Sequence, residues 1–199
     1  MLNFPVRTCA IKHERKNKFM EALECIKTRR SIRKFKETPI PKDTLTAIVA
    51  AASMSPSWKN TQIVRYNVVE NADIKEDIAA NGTLGFSHNH DIISGAPALV
   101  VVSMIGKRCG YERDGSYTTS KEDRWEMFDA GIASQTFCLA AHDMGIGSVI
   151  LGIFDDARVA EAISLPEEEK VAALIAIGYP DQECEAPKRK STDDLLRIM

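Results

Sequence analysis

Between Lys27 and Lys36 the chain places six basic side chains in ten positions, Lys27, Arg29, Arg30, Arg33, Lys34 and Lys36, with Ser31 among them. Residue types of this kind at this density suit a phosphate. An arginine guanidinium meets phosphate oxygens through two parallel N–H donors and keeps its charge at any working pH, and a serine hydroxyl adds a short neutral donor. Taken alone, the run reads as a solvated basic face at a helix end, and by itself that reading is the stronger. Other segments of the chain reverse the balance.

They read as parts of the same site. PSWKNTQ, from Pro56 to Gln62, offers Pro56, Ser57 and Asn60 in a short polar turn before an apolar run. GIGSVILG, from Gly145 to Gly152, follows DAGIASQ and is followed in turn by IAIGYP, from Ile175 to Pro180. A basic tail, PKRKSTDDLL, closes the chain and contains Arg189. In this order, RRSIRKF, PSWKNTQ, DAGIASQ with GIGSVILG, IGYP and a closing basic residue, the chain resembles the FMN-dependent nitroreductase family from about Met20 to its C-terminus. Each motif is weak by itself, and four in register are specific.

The resemblance implies an α+β flavin sandwich, with a central mixed, mainly antiparallel sheet flanked by helices, assembled as a homodimer. It implies that Arg29, Arg30 and Ser31 hold the FMN phosphate and ribityl chain, that Arg33 reaches the pyrimidine edge of the ring, and that Arg189 returns from the C-terminus to the phosphate, with Lys188 the weaker candidate. Pro56, Ser57 and Asn60 would approach the flavin of the other subunit, while Ile150, Leu151 and Gly152 would line the ring through backbone groups. Two departures from the family pattern, Ile63 after the glutamine and Ile150 in the glycine-rich strand, bear on pocket lining rather than on phosphate capture. The activity implied is FMN-dependent reduction of nitroaromatics, quinones or similar small acceptors by NAD(P)H. A dehalogenase or flavin-fragmenting enzyme of the same superfamily and a non-catalytic FMN-binding protein stay open beside it.

Other chemistries find little support in the residues. His88, Asn89, His90 and Asp91 are adjacent potential ligands with no partner cluster elsewhere, and they read as a polar loop rather than a metal site. No GxSxG elbow, Walker loop or HExxH occurs, and GIGSVILG lacks the full dinucleotide fingerprint. No residue is marked as a general acid or base. That absence suits an enzyme whose cofactor carries the reaction.

The elements that must position these residues follow from periodicity. Phe19, Leu23 and Ile26 give a first helix ending near the two arginines. Leu45, Ile48, Val49 and Ala52 after Pro41 give a second, which the Ser53–Pro56 cluster terminates. Strands are expected at Ile63–Val69, Pro97–Met104, Val149–Ile153 and Val171–Ile177, and helices at Asn71–Ala80, Glu122–Met144 and Asp155–Ile163. Asn81–Asp91 reads as loop, Glu122–Met144 as a long and largely buried helix, and Lys107–Lys121 as a polar excursion over the surface. Helices and strands do not alternate regularly, which argues against a doubly wound sheet.

At 199 residues and 44% hydrophobic content, residues 19–199 are expected to form one domain with a sizeable core, behind an extension over residues 1–18 that is expected to fray. A formal net charge of −2 confines the basic clusters to local features and argues against a general nucleic-acid binder. No apolar run approaches the roughly 18 residues of a membrane span, and the N-terminus lacks a secretory pattern. Five widely spaced cysteines form neither a zinc spacing nor a disulfide framework, so the expected compartment is a reducing cytoplasm.

Overall fold

Strand β2 (Ala98–Ile105) accounts for the architecture. Six of its first seven residues are apolar, and all seven are buried. A strand buried on both faces must have helices on both, and the computed structural model, which describes residues 20–199, shows that arrangement. Leu99 and Val101 face one apolar layer with Ile78, Ile92, Ile93 and Val159, whereas Val100 and Val102 face a second with Ile48, Phe137, Cys138 and Ala141. The first layer comes from α3 (Ala72–Asn81), α4 (Ser87–Ser94) and α6 (Asp156–Ala162). The second comes from α2 (Lys42–Ala52) and α5 (Arg124–Asp143).

The sheet has four strands in the order β1-β2-β4-β3, with β1 at Val64–Val69, β3 at Gly147–Leu151 and β4 at Glu169–Gly178. All neighbours pair antiparallel, and the parallel component among the described residues is a bridge from Ser31 to Ser148. A register shift between Val102 and Ser103 changes the pairing with β4. This irregularity lets Val171 share a face with Leu174 and Ala176 despite the odd spacing.

Most expected elements appear within two residues of their expected bounds. Helix α1 (Ala22–Thr28) ends just before the arginines, Asn71 caps α3 by accepting from the Ile74 N–H, and Asp155 caps α6 through the Ala157 and Arg158 N–H groups. The expected 1–18 extension, and Phe19, lie outside the described residues. Three expectations need correction. Asn81–Asp91 is not all loop, because α4 starts at Ser87. Its polar first turn shows no period, but Ile92 and Ile93 are buried and Asn89 donates to the Ile153 carbonyl at 3.0 Å. Strand β3 begins two residues earlier than expected, because its glycine Gly147 pairs with Gly178 in the ladder.

The third correction concerns α5, which is buried less completely than its apolar content suggests. Its N-terminal half buries Glu126 and Asp129 at 1% and 2% exposure and leaves Met127 and Phe128 half exposed. Helix α1 behaves alike: it buries Cys25 but exposes Leu23 and Ile26. Between β2 and α5 the chain makes the expected excursion, built of turns and an antiparallel bridge from Tyr111 to Tyr117 rather than of helix or strand. A short helix α7 (Thr192–Leu195) near the C-terminus has a capping box between Ser191 and Asp194.

Candidate functional site

The RRSIRKF segment crosses one end of the sheet. The Ile32 N–H donates to the Ser148 carbonyl at 3.0 Å, the Lys36 N–H to the Tyr179 carbonyl at 2.9 Å, and Phe35 bridges to Pro180. Two glycines make room for this crossing. A Cβ on Gly147 would lie 2.9 Å from Ile32, and one on Gly178 would lie 2.9 Å from the Phe35 Cβ and 2.6 Å from the Pro97 ring. The glycines of GIGSVILG and IGYP thus seat the apolar half of RRSIRKF, and its polar half turns outward.

That outward half lines a cavity of about 370 Å³ bounded by Arg29, Arg30, Ser31, Arg33, Cys184, Glu185, Pro187 and Arg189. Tertiary structure therefore brings the two ends of the chain together. Four arginines face one carboxylate, Glu185, so the cavity is strongly cationic. Arg30 directs Nη1 to the Lys27 and Arg29 carbonyls at 2.7 and 2.9 Å, and its Nε is sealed from solvent with no partner among the described residues. Arg33 makes one long contact, Nη1 to the Ser31 carbonyl at 3.3 Å.

A neighbouring histidine registers the same positive field. Burial first, and then the charges of Arg29 and Arg30, hold His142 below the ordinary imidazole range. The Thr28 hydroxyl donates to the Glu24 carbonyl at 2.8 Å, so at 2.9 Å it accepts from His142 Nε2.

Pro56 and Ser57 lie elsewhere. Together with Ile63, Tyr66, Asp129 and Ala133 they line a separate cavity of about 350 Å³ between α2, β1 and α5. Asn60 is exposed outside it and accepts from Gln62 Nε2 at 3.3 Å. Within one chain, then, the structure joins Arg29, Arg30, Ser31, Arg33 and Arg189 but not Pro56, Ser57 or Asn60. The segment holding the latter three is unusual in its backbone: Lys59, Asn60 and Gln62 all have φ between 44° and 57°, a region that L-residues avoid.

The remaining candidates are the last two residues of β3, which lies at the edge of the sheet beside β4, and Gly152 just after it. Leu151 is core, Ile150 is 45% exposed, and neither lines the arginine cavity. A Cβ on Gly152 would meet nothing within 4 Å, which leaves open space against that backbone. His90, on α4, contacts Glu76 and Asp91 at 3.3 and 3.2 Å. No group of three His, Cys, Asp or Glu side chains among the described residues could hold a metal ion.

Two features escape motif reading. Cys184, Glu185 and Pro187 join the arginine cavity from a tail with no periodic pattern. Asp129, the first residue of DAGIASQ, is a buried carboxylate one turn beyond the equally buried Glu126, and nothing in the motif marks it as buried.

Residues 26–81 and 86–179 match the model of the Nitroreductase family. An oxygen-insensitive NADPH nitroreductase of Helicobacter acinonychis is 30% identical over 174 residues, covering 73% of this chain and 80% of that protein. The crystal structure of a nitroreductase family protein from Clostridium novyi NT superposes with a TM-score of 0.70 at 31% identity, covering 81% of this chain and 86% of the other. An FMN-dependent nitroreductase from Clostridium difficile R20291 gives a TM-score of 0.67 at 27% identity, with 86% and 93% covered.

Proposed function

The chain belongs to the nitroreductase family, and on that footing we propose that it is an FMN-dependent oxidoreductase that takes electrons from NAD(P)H and delivers them to small acceptors of the nitroaromatic or quinone type. The observation that carries this reading is the cavity in which Arg29, Arg30, Ser31, Arg33 and Arg189 converge from opposite ends of the chain. Its donor set fits a phosphate dianion, and the unpartnered Arg30 Nε is a buried donor in want of an acceptor. FMN, when bound, supplies the hydride chemistry, so no protein nucleophile or general base is required.

The protein's own residues bind, orient and tune. Arg29, Arg30 and Arg189 neutralise the phosphate, and Ser31 donates beside them. The free edge of β3 at Ile150–Gly152 offers backbone groups to the ring, and the open space at Gly152 permits close approach. Arg33 places a fixed cation toward the pyrimidine edge, where reduction builds negative charge. If that charge contributes about 1 to 2 kcal/mol, the two-electron potential of the bound flavin falls by roughly 20 to 45 mV in an Arg33→Gln variant. Equilibration against a reference dye measures this, and an unchanged or raised potential returns Arg33 to a phosphate or surface role.

Pro56, Ser57 and Asn60 complete the site from a second copy of the chain. Their separation from the arginine cavity supports this reading, as does the apolar surface that α1 and α5 leave open at Leu23, Ile26, Met127 and Phe128. Light scattering should give a mass of two chains. A monomer that retains FMN at micromolar concentration overturns the shared site.

No helix among the described residues is long and apolar enough to cross a membrane. The free thiols Cys25, Cys109, Cys138 and Cys184 support a reducing cytoplasm as the place of action. The deciding experiment is a visible spectrum of the purified protein followed by anaerobic NAD(P)H. A flavin band that bleaches supports the enzyme, and a band that persists leaves a binder only. A colourless protein that FMN cannot reconstitute ends both readings.

A further inference from the structure

Asp129 lies on α5 at 2% exposure, and among the described residues no lysine or arginine forms an ion pair with it. A carboxylate taken out of water without a cation costs several kcal/mol unless strong donors offset the loss. Its donors come from two distant segments. The Trp58 N–H points between the two oxygens, at 3.1 Å from Oδ1 and 2.9 Å from Oδ2, and the fully buried Cys109 thiol donates to Oδ2 at 3.2 Å. The first donor belongs to the Pro56–Asn60 loop and the second to the start of the 107–121 excursion.

The loop needs such an anchor. Directly after Trp58 the chain enters the left-handed region at Lys59 and Asn60. Non-glycine residues there cost of order 1 kcal/mol each and persist only where the surroundings over-determine them. Two further contacts bind loop and excursion to each other and to α5: Lys59 pairs with Glu112 at 3.1 Å, and the Trp58 ring packs on Trp125 at a centroid distance of 4.5 Å. The ion pair is exposed and contributes little by itself. The hydrogen bonds to the buried carboxylate are charge-assisted and so the stronger contact.

We infer that Asp129 is a positioning residue, whose carboxylate clamps the Pro56–Asn60 loop and the 107–121 excursion to α5 and so sets the loop that meets the partner subunit's flavin. The inference rests on the shared-site reading given above. Replacing one carboxylate oxygen by an amide removes the negative charge behind both hydrogen bonds and sets an NH2 donor against the Trp58 N–H, so an Asp129→Asn variant loosens the loop while keeping side-chain volume.

Hydrogen exchange and flavin titration of that variant test the clamp. The Trp58 amide should exchange on the order of tenfold faster, with the amides of β2 and β4 unchanged. FMN and riboflavin should then weaken by a common factor, on the order of tenfold, because the phosphate's donors line the arginine cavity and the loop supplies none of them. A merely structural role would instead speed exchange across the sheet. Unchanged Trp58 exchange overturns the clamp, and faster exchange with unaltered flavin affinity overturns its role in the site. Should the variant fail to fold, the parent protein suffices: its Trp58 amide must exchange at least about tenfold more slowly than the neighbouring Lys59 amide, and equal rates overturn the clamp. A parent protein that binds no flavin defeats the reading of the preceding subsection, while the exchange comparison still judges the clamp.

Discussion

An Arg29→Ala variant should hold FMN about 30-fold more weakly than the parent protein, a loss of about 2 kcal/mol, with its affinity for riboflavin changed far less. The asymmetry follows from what each arginine is already doing. Arg30 spends Nη1 on its own backbone carbonyls and Arg33 leans on Ser31, whereas the Arg29 guanidinium has no hydrogen-bond partner among the described residues. Its donors are free to take a charged acceptor, and a charge-assisted pair is stronger than a neutral one. Arg30, Arg33 and Arg189 still line the cavity in the variant, which limits the loss. Titration of the apoprotein with both flavins measures it. Equal weakening of the two would make Arg29 a structural residue and move the phosphate elsewhere.

Replacing Gly178 by Ala should lower stability by about 1 to 3 kcal/mol, or a fall in melting temperature of roughly 3 to 10 °C for a chain of this size, and should weaken FMN binding as well. The added methyl would sit 2.6 Å from the Pro97 ring and 2.9 Å from the Phe35 Cβ. Neither neighbour yields easily, because Pro97 immediately precedes β2 and Phe35 is buried and bridged to Pro180. Whichever moves, the RRSIRKF segment shifts with it, so stability and phosphate affinity fall together. Gly152→Ala is the control for stability, since a methyl there meets nothing within 4 Å. Thermal melting of the two apoproteins compares them. A Gly178→Ala variant that melts with the parent would show that the crossing of RRSIRKF over the sheet is loosely packed, and that the glycine is not required for it.

Much of the fold is legible in the chain because local signals and burial agree. The unbroken apolar run of β2 announces a strand covered on both faces, and Asp155 announces the start of α6 by its capping chemistry. Agreement fails where a residue's environment comes from a distant element. The first turn of α4 is polar and without period, and its helix is held by Ile92, Ile93 and the Asn89 contact to Ile153. In α5 the sequence shows an apolar helix but not which side is covered. Glu126 is buried because the Lys107 N–H, at 2.7 Å, and the Lys170 ammonium, at 3.0 Å, reach it from other segments, while Phe128 is left outside.

The site divides along the same line. By itself the sequence determined the chemistry available: arginines and a serine in RRSIRKF, a basic residue near the end, and a glycine at Gly152 where a ring could come close to the backbone. Those are properties of side-chain type and short spacing, which a chain carries wherever it folds. Only the tertiary structure decided which of these residues meet. It brought Arg189 to Arg29 across the length of the chain and added Cys184 and Glu185 to the same cavity. It also set Pro56 and Ser57 in a different cavity and placed Asp129 beneath their loop. The reason is physical: a long-range contact depends on how two faces of one sheet are covered and on where a crossing segment finds room at Gly147 and Gly178, and neither is encoded in the residues that touch.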